Sequence, residues 1–302
     1  MSQYFNTEDI LLPYTYINKI KGKGIRSYLI DAFNKWFNID QANLDKIKKI
    51  IEMLHNSSLI IDDIEDYSEL RRGIPTAHVK YGVPLSINAG NMIYFVALKE
   101  ILSFGKTEMV ESYTKCMIEL HRGQGKDIYI RDCHLFTKES KDIIPTEEDY
   151  THMVMDKTGG LFKLAFEMMG SLSSTVHQTF DLRGLIDLIG LIGLFYQIRD
   201  DYMNITSSEY ETSKGFCEDF SEGKISYIII KSIEKDITIL DDIRQKPDNY
   251  KDKKRLLDRI IRTGSLDYVK EYLVKLKDKI SLMILSLGGN DLLTNFIQKL
   301  TI

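Results

Sequence analysis

Apolar residues recur along this chain at three- and four-residue steps, the period of a helix that buries one face. Leu44, Ile47, Ile50, Ile51 and Leu54 keep that spacing and lead into the acidic segment Asp62-Asp63-Ile64-Glu65-Asp66. Gly159-Gly160 precede Leu161-Phe162-Lys163-Leu164-Ala165-Phe166, which reads as a tightly packed, buried helix. From Leu185 to Tyr202 the sequence is apolar nearly all round until its acidic end, the pattern of a central helix. Between Tyr250 and Ile302 basic and apolar residues alternate at helical spacing, which predicts outer amphipathic helices. Only five prolines occur (Pro13, Pro75, Pro84, Pro145, Pro247), too few for the frequent turns of an all-β protein. The pattern predicts an all-α chain.

Two stretches read as loops. Asp132 to Pro145 is polar and leads into Thr146-Glu147-Glu148-Asp149, a helix N-cap with an acidic first turn. Thr206 to Gly223 is rich in Ser, Glu and Gly, carries Lys214 and is followed by Lys224, which suits a flap that closes over phosphates. No linker, internal repeat or low-complexity segment interrupts the chain, so a single domain over residues 1–302 is expected.

Composition narrows the function classes. The 43% apolar content of 302 residues supports a sizeable core. A net charge of −4 with dispersed basic residues leaves no footprint for nucleic acid. Cys116, Cys133 and Cys217 are odd in number and irregular in spacing, which argues against a disulfide framework or a zinc site and for a reducing compartment. The longest apolar stretch, Leu188 to Tyr196, falls far short of the roughly 20 residues a membrane span needs. The segment from Met1 to Asn6 has neither the basic nor the apolar region of a signal peptide. The expectation is a cytoplasmic protein without a membrane span.

Chemistry enters at the ends of two apolar runs. One closes on Asp62-Asp63-Ile64-Glu65-Asp66, followed by Arg71-Arg72-Gly73, and the other on Asp200-Asp201 and Asn204. Carboxylates there are costly to bury without positive charge. Asp62 and Asp66 are one helical turn apart on one face, and Asp63 and Asp201 sit about 100° round from their neighbours. Asp62, Asp66 and Asp200 are therefore candidate metal ligands, with Asp63 and Asp201 behind them. Mg²⁺ takes one or two carboxylates and leaves its other positions to water and substrate phosphates, so the pattern points to diphosphate chemistry. The plainer alternative makes both clusters solvated helix ends.

These motifs carry a resemblance. With Gly22-Lys23-Gly24-Ile25-Arg26, His55-Asn56, Leu120-His121-Arg122-Gly123-Gln124-Gly125, Lys157-Thr158-Gly159-Gly160 and Glu222-Gly223-Lys224, the chain resembles the trans-prenyltransferases, and among them the animal and fungal geranylgeranyl type. The resemblance implies a helical bundle of the isoprenoid synthase type with a central active-site cavity. It implies Mg²⁺-dependent head-to-tail condensation of isopentenyl diphosphate with allylic diphosphates, chiefly farnesyl diphosphate, to a twenty-carbon product, with three Mg²⁺ per site. Gly22, Lys23, Arg26, His55 and Arg72 match the metal-free site for isopentenyl diphosphate. Arg71, Lys157 and Lys214 match residues that grip the allylic diphosphate, with Lys224 nearby. Lys157, Thr158 and Gln197 match groups that face the allylic cation, to which the ring of Tyr196 can add. Ser57 and Ser58 are small where related farnesyl synthases place aromatic rings, and Tyr94, Phe95 and His121 match the floor that ends growth at twenty carbons. Asn204 replaces the third aspartate of the farnesyl enzymes, as in the geranylgeranyl type. A homodimer or larger homo-oligomer is implied too.

Two rivals share the scaffold. A terpene cyclase would keep the metal motifs and let Lys23, Arg26, His55 and Arg72 drift, and a non-catalytic regulatory subunit would lose one acidic motif. All of these are in place. Taken singly, each Lys or Arg would be a surface charge, His55 a core histidine, the serines a helix contact and the aromatics ordinary core.

Overall fold

The apolar rows of the sequence become the buried faces of long helices. The structure, a computed structural model, describes residues 6–19, 22, 24–132, 144–174, 182–207 and 215–302. The described residues are mostly helical, and the chain divides into two compact units. The first comprises Met1–Cys116 and Leu161–Phe180, the second Met117–Gly160 and Asp181–Ile302.

The first unit holds α1 (Thr7–Ile10), α2 (Leu12–Asn18), α3 (Ile25–Phe37), α4 (Gln41–Glu65), a two-stranded hairpin of β1 (Leu70–Arg71) and β2 (Ile74–Pro75), α5 (Ala77–Tyr81), α6 (Val83–Leu102) and the start of α7 (Thr107–Asp132). Asp40 caps α4 by accepting the Asn43 backbone N–H at 3.0 Å. Leu44, Ile47, Ile50, Ile51 and Leu54 are all buried, as the spacing predicts. The main partner of α4 is α6, and the Ser57 hydroxyl on α4 donates across the contact to the Gly90 carbonyl at 2.5 Å. In α9 (Gly160–Leu172), Leu161, Phe162, Leu164, Ala165 and Phe166 are buried, again as expected. Phe166 meets Phe37 of α3 edge-on with ring centroids 4.6 Å apart.

The second unit holds the rest of α7, α8 (Glu147–Lys157), α10 (Leu182–Thr206), α11 (Glu218–Glu222), α12 (Tyr227–Ile233), α13 (Thr238–Arg244), α14 (Tyr250–Arg262), α15 (Ser265–Ser286) and α16 (Asp291–Lys299). The N-cap read at Thr146 is present as a full capping box with Asp149. The long helix α10 buries Leu185, Leu188, Ile189, Ile192, Phe195 and Ile198, but Ile186 and Asp187 lie exposed near its start, so only its later turns are enclosed. Its principal partner is α15. The amphipathic pattern expected after Tyr250 is present: on α15 Val269, Leu273, Leu276, Ile280 and Ile284 bury one row while Lys270, Lys275 and Lys279 stay exposed, and α14 and α16 likewise bury one face. The stretch from Thr206 to Gly223 is not all loop. Thr206 ends α10, and α11 forms around the buried Phe220. Lys214 and residues 133–143 of the other expected loop, with Cys133, lie outside the described residues.

Candidate active site

In the first unit, α4 ends on Asp62, Asp63, Glu65 and the cap residue Asp66, with no basic residue in its last turn. Carboxylates are disfavoured at this negative end of the helix dipole. The Asp66 N–H donates to the Asp62 carbonyl at 2.9 Å, which sets the two side chains one turn apart. Asp62 and Asp66 are partly exposed, whereas Asp63 is 0% exposed. Asp63 accepts from Arg71 Nε at 2.7 Å and from Arg71 Nη2, and that Nη2 lies 3.5 Å from Asp62. Arg71 thus compensates the buried member of the pair.

The hairpin after α4 aims the arginines. Leu70 pairs with Pro75 and Arg71 with Ile74, leaving Arg72 and Gly73 as the two turn residues. Both have positive φ, 55° and 78°, as a type I′ hairpin requires. Gly73 adopts this freely, but Arg72 does so against its side chain's preference. The Arg72 guanidinium reaches back to Gly22, where an added Cβ would lie 2.7 Å from Nη2. Arg26, in the first turn of α3, sits over the Phe162 ring with its guanidinium carbon 5.5 Å from the centroid. Burial, then Arg26, Arg72 and Arg71, hold the His55 imidazole well below its ordinary pKa. The structure therefore brings Gly22, Arg26, His55, Arg71 and Arg72 into one neighbourhood, a concentration of positive charge that favours a bound anion. Lys23 lies outside the described residues.

The residues expected to set chain length differ in their surroundings. Ser57 is buried against α6, and Ser58 donates to the His55 carbonyl at 2.8 Å. The Tyr94 hydroxyl interacts with Ser57, and burial raises its pKa to about 12, with Glu65 and Asp62 adding to the rise. The Tyr94 carbonyl accepts from Tyr113 at 2.8 Å. Phe95 points elsewhere: it is 70% exposed. His121, in the second unit, is exposed with Nδ1 2.7 Å from the Met117 carbonyl.

The second unit repeats the acid design. Asp200 is partly exposed and Asp201 is 0% exposed. Asp201 accepts from Lys224 Nζ at 2.8 Å, Gln197 Nε2 at 3.0 Å and the Tyr150 hydroxyl at 2.5 Å. Lys224 also lies 3.4 Å from Asp219. Burial works against the Lys224 charge, but Asp201, Asp219, Glu222 and Asp127 outweigh it and raise the pKa well above the ordinary value. The Thr158 hydroxyl, at the C-cap of α8, donates to the Gln197 side-chain oxygen at 2.9 Å. Lys157 pairs with Asp127 at 2.7 Å. The closeness of α7 and α8 here depends on Gly123, where a Cβ would lie 2.6 Å from the Lys157 backbone nitrogen. Asn204 is buried, and its side-chain oxygen accepts the Asp219 backbone N–H at 3.3 Å. That contact ties the end of α10 to the start of α11.

Sequence reasoning missed three participants. Asp127 lies two residues beyond the segment Leu120 to Gly125 and was legible from that position. Asp219 is one acid among several in a polar stretch, and Tyr150 is one aromatic in an ordinary helical row, so neither gave a signal. Among the described residues no group of three or more His, Cys, Asp or Glu side chains converges to hold a metal unaided, and no helix is long and apolar enough to cross a membrane.

Residues 7–260 match the polyprenyl synthetase family. The chain is 43% identical over 302 residues to the geranylgeranyl pyrophosphate synthase of Mucor circinelloides f. lusitanicus, covering 98% of this chain and 95% of that one. It is 40% identical over 294 residues to the geranylgeranyl pyrophosphate synthase of Dictyostelium discoideum, covering 96% and 92%. A further similarity, 45% over 271 residues, is to the geranylgeranyl pyrophosphate synthase spyE of Aspergillus fumigatus, covering 88% and 72%. With its acid motifs and its arginine cluster placed as described, the chain belongs to the polyprenyl synthetase family.

Proposed function

We propose that the chain is a geranylgeranyl diphosphate synthase that condenses isopentenyl diphosphate head-to-tail with allylic diphosphates, chiefly farnesyl diphosphate, to a twenty-carbon product. The observation that carries this is the repeated acid design. In each motif a partly exposed aspartate (Asp62, Asp200) precedes a wholly buried one whose charge a base answers (Asp63 with Arg71, Asp201 with Lys224). Each motif thus sets partly exposed carboxylate, Asp62 and Asp66 in one and Asp200 in the other, beside a buried and charge-compensated one.

The donor set fits Mg²⁺. It is all oxygen, sparse at each motif, and at α4 it opposes an unfavourable helix dipole that a cation would relieve. Asp62, Asp66 and Asp200 would hold it, three ions per site by family resemblance. When bound, Mg²⁺ supplies the positive charge that makes pyrophosphate a competent leaving group. Lys157, Arg71 and Lys214 add fixed cations for the allylic diphosphate, with Lys224 nearby. Gly22, Lys23, Arg26, His55 and Arg72 hold isopentenyl diphosphate through guanidinium forks and backbone approach rather than metal. The Thr158 hydroxyl and Gln197 amide, already ordered by each other, are dipoles for the allylic cation, together with the carbonyls near Lys157 and the ring of Tyr196. The isopentenyl double bond attacks that cation, and the proton then lost goes to the departing pyrophosphate, so no side-chain base is required.

The rival cyclase reading has no use for the cluster of Arg26, His55 and Arg72, which the electrostatics of His55 register together. The proposed setting is the cytoplasm. The proposed assembly is a homodimer or larger homo-oligomer, supported by Ile87, Phe95 and Leu102, which lie exposed on one side of α6. Turnover should vanish in excess chelator. Asp62→Ala or Asp200→Ala should lower kcat at least about 10²-fold with an unchanged circular dichroism melt. Undiminished coupling in chelator would refute the proposal.

A further inference from the structure

Tyr150 has no part in the chemistry above, yet it is bound into it. It is wholly buried on α8, and its hydroxyl donates to Asp201 Oδ2 at 2.5 Å. The other oxygen, Oδ1, receives Gln197 Nε2 at 3.0 Å and Lys224 Nζ at 2.8 Å. Gln197 accepts in turn from Thr158, which caps the same helix about two turns beyond Tyr150. So α8 reaches Asp201 twice, directly through Tyr150 and indirectly through Thr158 and Gln197.

The ring is fixed from the other side. Its centroid lies 5.4 Å from that of Tyr227, which stacks on Tyr272 at 5.3 Å. Burial, then the Asp201 carboxylate, raises the hydroxyl's pKa well above the ordinary value, so it remains a proton donor. Lys224 has two carboxylates to choose between, Asp201 at 2.8 Å and Asp219 at 3.4 Å. The orientation of Asp201 decides where that ammonium rests. It also decides where the Gln197 amide, and with it the Thr158 hydroxyl, points.

We propose that Tyr150 is a positioning residue for prenyl transfer: by fixing Asp201 it sets Lys224, Gln197 and Thr158 in the arrangement the allylic diphosphate requires. The inference rests on the prenyl-transfer reading.

The test is a kinetic double-mutant cycle. Tyr150→Phe keeps the ring and removes the hydroxyl. With the allylic substrate varied, its kcat/KM should fall about tenfold, the loss of one charge-assisted hydrogen bond, while the KM for isopentenyl diphosphate stays within about twofold. In an Asp201→Asn background the same substitution should add nothing, because Tyr150 acts only through that carboxylate. Calorimetric affinity for inorganic pyrophosphate with Mg²⁺ should follow the same non-additive pattern. Tyr272→Phe, in the same aromatic stack but away from Asp201, should leave kcat unchanged. If Tyr150→Phe alone does not fold, Asp201→Asn and the double variant still decide the matter: equal kcat supports the proposal and a further fall overturns it. An active wild type whose Tyr150→Phe variant keeps full kcat/KM overturns this inference alone. A wild type that couples no isopentenyl diphosphate overturns the functional reading and this inference with it.

Discussion

Arg72 shows how much one residue can be asked to do. It occupies the first turn position of a type I′ hairpin at φ 55°, where asparagine is favoured, and yet it carries a guanidinium into the cationic cluster. Arg72→Asn should therefore raise the melting temperature, by relief of roughly 1 kcal/mol of backbone strain. It should also raise the KM for isopentenyl diphosphate about tenfold or more. A variant that loses stability would show that the turn does not strain the arginine. His55 offers a pH signature. Its folded-state pKa is depressed by burial and by Arg26, Arg72 and Arg71, whereas the unfolded chain takes up a proton near the usual value of about 6.5. Stability from this group is therefore complete above about 6.5 and is lost as pH falls from there toward the folded-state value. Melting temperatures from pH 7.5 to 5.5 should fall more steeply for the wild type than for His55→Gln; equal slopes would contradict the depressed pKa. At this scale the sequence was legible where residue type and spacing coincide, as at Asp62, Asp63 and Asp66. It was silent where a role depends on a distant partner, as with Tyr150 and Asp219.

Among elements, α4 carries core and chemistry on one continuous helix. Ile50 is fully buried on it, and Ile50→Ala should cost about 2–5 kcal/mol in denaturant unfolding, far more than any exposed substitution on the same helix. On the proposed reading, α4 also bears on product length. Ser58 is partly buried with only a short local hydrogen bond, and Ser58→Phe should shift output toward fifteen carbons. An unchanged product profile would remove α4 from the growth path. The period-3.6 rows of α4 and α9 could be read directly, because each has one dominant apolar face. In α11 the composition of Ser, Glu and Gly concealed a short helix that one buried phenylalanine organises. In α15 the aliphatic row was legible from the alternation of basic and apolar residues, whereas its partner, α10, was not.

For the whole molecule, the two compact units change over at 116–117, inside α7, and at 160–161, at the first turn of α9, so no linker separates them there. The unbroken sequence leads us to propose a single domain, and heating should then give one cooperative transition; two separate transitions would contradict it. The exposed face of α6 was not legible, because its other side is apolar too and burial alone tells the two apart. Light scattering at micromolar concentration should give a dimeric or larger mass that Leu102→Glu lowers. The most direct test of the central claim is chain-length analysis of products from isopentenyl diphosphate and farnesyl diphosphate with Mg²⁺. The account predicts geranylgeranyl diphosphate as the main product; a reaction that makes farnesyl diphosphate and stops there, or that releases a cyclised hydrocarbon from an allylic diphosphate alone, would contradict it.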